Sequence, residues 1–263
     1  MQKKWLGVAG ILLVIAAAFV AGYYTRNVAA QETGVPSAEK LPADVHPETL
    51  ARIGWASRDE FTTPEDLAAY DHAVGLMPQL AKHAYTAPTK NCTETVTCID
   101  GNGIRLHIPV VHTAYRDIIQ NLNQKNGLDT VINGRYTQLA TLVSCRENDV
   151  EPDWLAHEKN SVKVLPREIV EIVRNNKDTT GLEEKDAVLI RFGRELFRQP
   201  KVSSKTFADM ERLFGTRGTL AVTLIMAHYN DNAILYRTYD QRLGSEDPRP
   251  FPDVVAKEGK HPS

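Results

Sequence analysis

The chain has 263 residues, with 31 Lys+Arg against 33 Asp+Glu and a formal charge of -2. That length suits one large domain or two small ones, and the near-neutral balance argues against an electrostatic nucleic-acid binder, which carries a basic excess. An apolar share of 42% is that of a globular rather than a disordered chain, and three cysteines are too few for a disulfide scaffold or a four-cysteine zinc module.

The apolar content is concentrated at the start. Lys3 and Lys4 precede a run from Leu6 to Tyr24 without a charged residue, and Val28-Ala29-Ala30 follows. A basic segment, an apolar segment and a small-x-small ending form a secretory signal peptide, with cleavage before Gln31. The same run is long enough to serve as an uncleaved membrane anchor. Both readings put the remainder outside the cytoplasm, periplasmic or secreted, with a membrane as partner only in the second. Removal of residues 1–30 takes away Lys3, Lys4 and Arg26 and no acid, leaving 28 bases, 33 acids and a charge of -5.

Residues 31–46 are polar, with two prolines and a glycine, and read as a linker. Thr63-Pro64-Glu65-Asp66 opens a helix with a cap, a first-turn proline and early acids. Residues 90–107 are the exception to a helical pattern. Thr93–Ile99 and Ile104–His107 flank Asp100-Gly101-Asn102-Gly103, the composition of a β-hairpin. Further helices are expected over Ile108–Leu122, Arg135–Arg146, Pro152–Val164, Pro166–Asn175, Glu183–Phe197, Ser203–Phe214 and Thr219–Tyr239. In the last, Leu220, Leu224, Ile225 and Leu235 form the expected apolar stripe, and Leu220, Leu224, His228 and Asn232 share a face that turns polar at His228. From Gly244 to Ser263 the chain reads as a tail that packs by Phe251 or by Val254 and Val255. The expected fold is an all-α bundle with one small hairpin insertion, its domain spanning 47–243.

Cys92 and Cys98 suit a local disulfide in an oxidising compartment, whereas Cys145 reads as a buried thiol. No Cys-x-x-Cys is present, so dithiol redox chemistry lacks its central part. Asp153 and His157 stand four apart, on one helix face, where a carboxylate orients an imidazole for acid/base work. A surface His beside a helix-start acid accounts for the same spacing. His228 follows an apolar face, as in a helix running from core into pocket, and a hydrogen-bonded core His fits too. Gln138, Leu142 and Cys145 share an inner face. No recognisable third ligand joins His157 and His228, so no metal site is expected.

Together these residues carry a resemblance. The stretch GRYTQLATLVSCRENDVEPDWLAHEKNSV, then PREIVEIVRN, EEKDAVLIRFGRELF and the segment ending in AHYN resemble the carboxymuconolactone decarboxylase-like family, which has the alkylhydroperoxidase D-like fold. The likeness extends over nearly all of residues 50–243. It implies an all-α protomer assembled as a trimer or hexamer, and a thiol-free branch with an acid-Trp-x-x-His element, here Asp153-Trp154-x-x-His157. The family's upstream acid falls on Gln138, which can hold a hydrogen bond but not relay a proton. His228-Tyr229 match a late His-Tyr. The resemblance thus implies a cofactor-free enzyme acting on a small carboxylic acid or lactone. His157 would be general acid/base and Asp153 its orienting group. Gln138, Trp154, His228 and Tyr229 would line the substrate pocket. The alternatives are a thiol-independent peroxide-handling enzyme and a family member that binds without catalysis.

Overall fold

A computed structural model describes residues 41–77, 99–122, 132–244 and 247–251. The expected signal peptide or anchor, the Cys92–Cys98 pair and most of the tail lie outside the described residues. The described chain is mostly helical, and its one bridge of β type joins His46 to Ala51. A short 3-10 turn at Arg58–Glu60 precedes α1 (Pro64–Leu76), α2 (Gly101–Arg105), α3 (Pro109–Leu122), α4 (Gly134–Glu147), α5 (Glu151–Ser161), α6 (Arg167–Arg174), α7 (Glu184–Arg198) and α8 (Ser204–Thr238).

The helix boundaries follow local chemistry. Thr63 caps α1 by accepting from the Asp66 amide, with Pro64 behind it. Asn133 caps α4 through the Tyr136 amide, and Ser203 caps α8 through the Thr206 amide. Each cap satisfies one of the amides that the first helical turn leaves without a partner. α8 is two helical arms meeting at Gly215, whose φ of 67° lies in the left-handed region that a glycine adopts without a Cβ clash. The two separate helices expected from 203 and 219 onward are these arms.

The hairpin expected over 90–107 is not what the described part of that segment forms. Asp100 caps α2, its carboxylate accepting from the Gly103 amide at 2.8 Å, and Ile104 and Leu106 turn into the interior. An Asp followed by small residues suits an N-cap as well as a hairpin turn, and here the buried apolar pair decides for the helix. Gly101 also has to be glycine: a Cβ there would lie 2.7 Å from Asn232 Oδ1.

The central helix is α4, whose residues from Leu139 to Arg146 are all buried. It packs on α5, α7 and α8. The contact with α7 and α8 is close at Gly193, where a Cβ would collide with Val143 and lie 2.9 Å from Met226 Cε. Ser144 donates to the Met226 carbonyl at 2.9 Å, fixing α4 against α8. The expected stripe on α8 is half overturned. Leu220 and Leu224 are exposed, while Val222, Ile225, Met226, Tyr229, Ala233 and Tyr236 fill the core. Both series have helical spacing, and the buried one carries the larger apolar and aromatic area. Among the described residues no helix is long and apolar enough to cross a membrane.

The domain reaches beyond 47–243 at both ends. Val45 is buried, and Phe251 is fully buried against Trp154 with ring centroids 5.0 Å apart. The tail therefore packs by Phe251, one of its two expected contacts. Gly193→Ala should lower stability by about 1–3 kcal/mol through overpacking. Gly75→Ala, in open space on α1, should be neutral or raise it by up to about 1 kcal/mol. Urea denaturation of the two variants checks the contrast, and equal midpoints would count against the close α4–α7–α8 contact.

Candidate active site

Two turns of α5 face two turns of α8. At the first, the buried Asp153 carboxylate accepts from Asn232 Nδ2 at 2.7 Å on one oxygen and from the Tyr236 hydroxyl at 2.8 Å on the other. The Tyr236 oxygen accepts in turn from the Gly101 amide at 3.1 Å, and Asn232 Oδ1 accepts from Arg105 at 2.7 Å. Arg105 also pairs with Asp231. Burial raises the Asp153 carboxyl to about 6, although the two side-chain hydrogen bonds favour its charged form.

At the next turn His157 meets Tyr229. His157 Nε2 and the Tyr229 hydroxyl are hydrogen-bonded at 2.9 Å, and the rings stand edge to face with centroids 5.1 Å apart. His157 Nδ1 is shielded from solvent and has no hydrogen-bond partner. Burial lowers the imidazole to about 4, so the ring is neutral at pH 7. Burial likewise holds the Tyr229 phenol well above its usual range, as a proton-bearing hydroxyl.

The His228 ring lies 4.8 Å from that of Tyr229, centroid to centroid, and its Nδ1 is hydrogen-bonded to the Tyr115 hydroxyl of α3 at 2.9 Å. Arg105 stacks over the Tyr115 ring, with 4.2 Å from Cζ to the centroid. Burial first, then the positive charge of Arg105, lower His228 to about 4. A third imidazole, His112, is buried on α3 with its Nδ1 unpartnered. Burial and then Arg116 lower it to about 4. Arg116 itself makes no hydrogen bond or ion pair among the described residues. A contiguous line of side chains thus runs from Arg105 through Tyr115, His228 and Tyr229 to His157.

Gln138 reaches this group from the other side. The Ser161 hydroxyl shares its one proton between Gln138 Oε1, at 3.1 Å, and the His157 carbonyl, at 2.9 Å. Gln138 therefore braces the α5 turn that carries His157. Three of the sequence-predicted residues, His157, Tyr229 and His228, come together, and Gln138 meets Ser161 one turn beyond His157.

Two do not act as expected. Asp153 does not orient His157: its oxygens are taken by Asn232 and Tyr236, and Tyr229 holds the imidazole instead. Burial of the carboxylate made donors on α8 the stronger attraction than an imidazole one turn away, itself held neutral. Trp154 does not line a pocket. It is fully buried, donates Nε1 to Glu158 at 2.9 Å, meets Phe251 edge to face and has the Arg174 guanidinium 5.3 Å from its ring centroid.

Tyr115, His112, Arg105 and Arg116 escaped the sequence reading. The only available signal was the His112/Arg116 spacing of four within Ile108–Leu122. Cys145 is fully buried, and burial holds its thiol well above its ordinary value, which makes it a poor nucleophile. Among the described residues no three His, Cys, Asp or Glu side chains gather as a metal-ligand set. No family model, no curated protein and no solved structure matches this chain.

The pKa shifts set the pH response. His112, His157 and His228 bind protons near pH 4 when folded and near 6.5 when unfolded. Their contribution to stability is complete above 6.5 and drains away as pH falls toward 4. Asp153 works in the opposite sense. Its folded value near 6 exceeds the ordinary 3.8, so its contribution is complete below 3.8 and is lost as pH rises through 6. Three groups outweigh one, and unfolding free energy should drop on the order of 5 kcal/mol from pH 6.5 to 4. Urea titrations across that range check the slope, and the three imidazole NMR signals should stay unshifted down to pH 5.

Proposed function

We propose that the chain is an exported, cofactor-free enzyme of the carboxymuconolactone decarboxylase-like type, acting by His157 acid/base chemistry on a small carboxylic acid or lactone. The observation that carries this reading is the shielded, orphan Nδ1 of a neutral, partly buried imidazole whose other nitrogen is held by Tyr229. A buried ring nitrogen without a partner costs about 1–3 kcal/mol, and a proton-transfer group is a reason for a fold to retain one.

In the productive tautomer Nε2–H donates to the Tyr229 oxygen and Nδ1 presents a lone pair. Nδ1 removes a proton from the carbon next to a substrate carbonyl, and the C–H electron pair moves onto the carbonyl oxygen as an enolate. The imidazolium returns the proton to the same carbon or to its conjugated neighbour. With a value near 4, the free imidazole is a weak base. A bound carboxylate raises its proton affinity, because an anion nearby favours the charged ring.

The anion fits the cations present. Arg105 is already paired with Asp231. Arg116 is not paired among the described residues, and its charge reaches His228. We assign Arg116 as the carboxylate anchor. Gln138 stands where the resemblance implies an acid, and it braces His157 rather than relaying a proton. Peroxide reduction by thiol is disfavoured by the buried Cys145. Assembly as a trimer or hexamer belongs to the same proposal, and sedimentation of the exported chain tests it.

The experiment is NMR-detected exchange of carbon-bound hydrogen for deuterium in a panel of small keto acids and lactones. The wild type should exchange at least one acid. His157→Gln should slow the exchange by about 10²–10⁴-fold. Arg116→Gln should raise KM about tenfold or more for acids and leave neutral lactones unaffected. An unchanged rate in His157→Gln, or no exchange by the wild type on any compound, would overturn the assignment.

A further inference from the structure

A second charged site lies on α7, away from His157. Arg191, Arg194, Glu195 and Arg198 are spaced i, i+3, i+4 and i+7 and so share one face of that helix. With Asp178, Thr179 and Gln199 they line a cavity of about 290 Å³. The opposite side of the helix is anchored in the core through Gly193. Along α4 the separation is nine residues, from Gln138 beside His157 to Glu147 beside Arg198, or about 13 Å of helix.

The carboxylates around this cavity hydrogen-bond other partners, although the charge of Asp178 also reaches Arg194. Glu147 receives the fork of Arg198 through Nε and Nη2, both at 2.5 Å. One Glu195 oxygen accepts from the Ser203 amide at 2.8 Å and the other from the Thr206 hydroxyl at 2.7 Å, so that carboxylate serves the start of α8. Asp178 accepts from the Thr180 amide at 2.7 Å. Arg191 is taken up by Thr206 and Asp209.

Arg194 is the exception. Its side chain is 17% exposed, its Nε is 3.9 Å from the nearest Glu147 oxygen, and its one hydrogen bond is a long 3.4 Å contact to the Ile172 carbonyl. Burial, ahead of the partial help from Glu147, pulls the guanidinium below its ordinary value. A guanidinium has five N–H donors in a fixed fork. Most of those on Arg194 have no acceptor among the described residues, while two further guanidiniums line the same space.

We propose that this cavity binds a small oxyanion, with Arg194 as the principal ligand and the Thr179 hydroxyl and Gln199 amide as neutral donors. The fork geometry of a guanidinium matches carboxylate and phosphate alike. A volume near 300 Å³ suits a small organic phosphate or a di- or tricarboxylate rather than a macromolecule. The site is independent of the His157 chemistry and would stand if that assignment failed.

Calorimetric titration of the full chain at low ionic strength with inorganic phosphate, and separately with malonate, tests the site. The arm that gives heat identifies the oxyanion. Arg194→Gln should weaken binding by about 10–100-fold, the loss of one charge-assisted contact. Arg58→Gln, at an exposed pair elsewhere, should leave it unchanged. If Arg194→Gln does not fold, Arg194→Lys keeps the charge without the fork and should weaken binding by about three- to tenfold. No heat from either anion at 20 mM (roughly the weakest binding of physiological interest), or equal affinity in the Arg194 and Arg58 variants, would overturn the proposal.

Discussion

The crossing of α5 over α8 depends on one buried carboxylate. Asp153 has no solvent to solvate it, and an unpaired charge there would cost several kcal/mol. Its two oxygens are instead satisfied by Asn232 and Tyr236, which stand four apart on α8. Two bonds from one rigid helix to one side chain fix both position and rotation. Asn232 and Tyr236 are themselves held, by Arg105 and by the Gly101 amide at the start of α2. Three helices distant in sequence are thereby registered on a single group.

The registration decides what happens one turn away. Moving from Asp153 to His157 along α5 corresponds to moving from Asn232 back to Tyr229 along α8, so the helices run antiparallel at the contact. Each step is about 5–6 Å of helix axis. The imidazole consequently meets a phenol, and the following turn brings Ser161 to Gln138 on α4. Asp153 therefore sets the helix crossing, and Tyr229 holds the imidazole. A slip of one residue at Asp153 would rotate His157 by about 100° and take it off Tyr229.

Local chemistry in the sequence was sufficient for the helices. Thr63-Pro64, Ser203 and the periodic run from Glu183 mark elements that fold with those boundaries to within a residue or so. Where two solutions satisfied the same local rule, the sequence could not choose. Asp100-Gly101-Asn102-Gly103 suits a hairpin turn or a capped helix, and the burial of Ile104 and Leu106 selects the helix. On α8 two sets of apolar residues have helical spacing, and only the neighbours show that Leu220 and Leu224 face outward. The site was legible only in part for the same reason. His157, His228 and Tyr229 stand out because of their residue types and order. Tyr115 joins them through a contact with His228, 113 residues away in the chain, and Arg105 by stacking on Tyr115, which no local pattern encodes.

Hydrogen-bond satisfaction separates the two roles that a buried polar group can play here. Asp153 and Trp154 are saturated: every strong polar atom on them has a protein partner. They act as structure, and there is no free valence on them for a substrate to use. His157 and His112 each retain a buried nitrogen with no partner. A fold selected only for stability would gain about 1–3 kcal/mol per site by giving each an acceptor or replacing the ring with an apolar one. That loss is tolerable only against a net stability of about 5–15 kcal/mol, so two such groups in one region represent a sizeable fraction of it. Thr219 Oγ1 on α8 and Arg174 Nε on α6 are likewise buried without a hydrogen-bond partner, so the incomplete bonds are spread over several helices. The same helices therefore hold satisfied and unsatisfied polar groups side by side, and only the unsatisfied ones have a hydrogen-bonding valence left for a ligand.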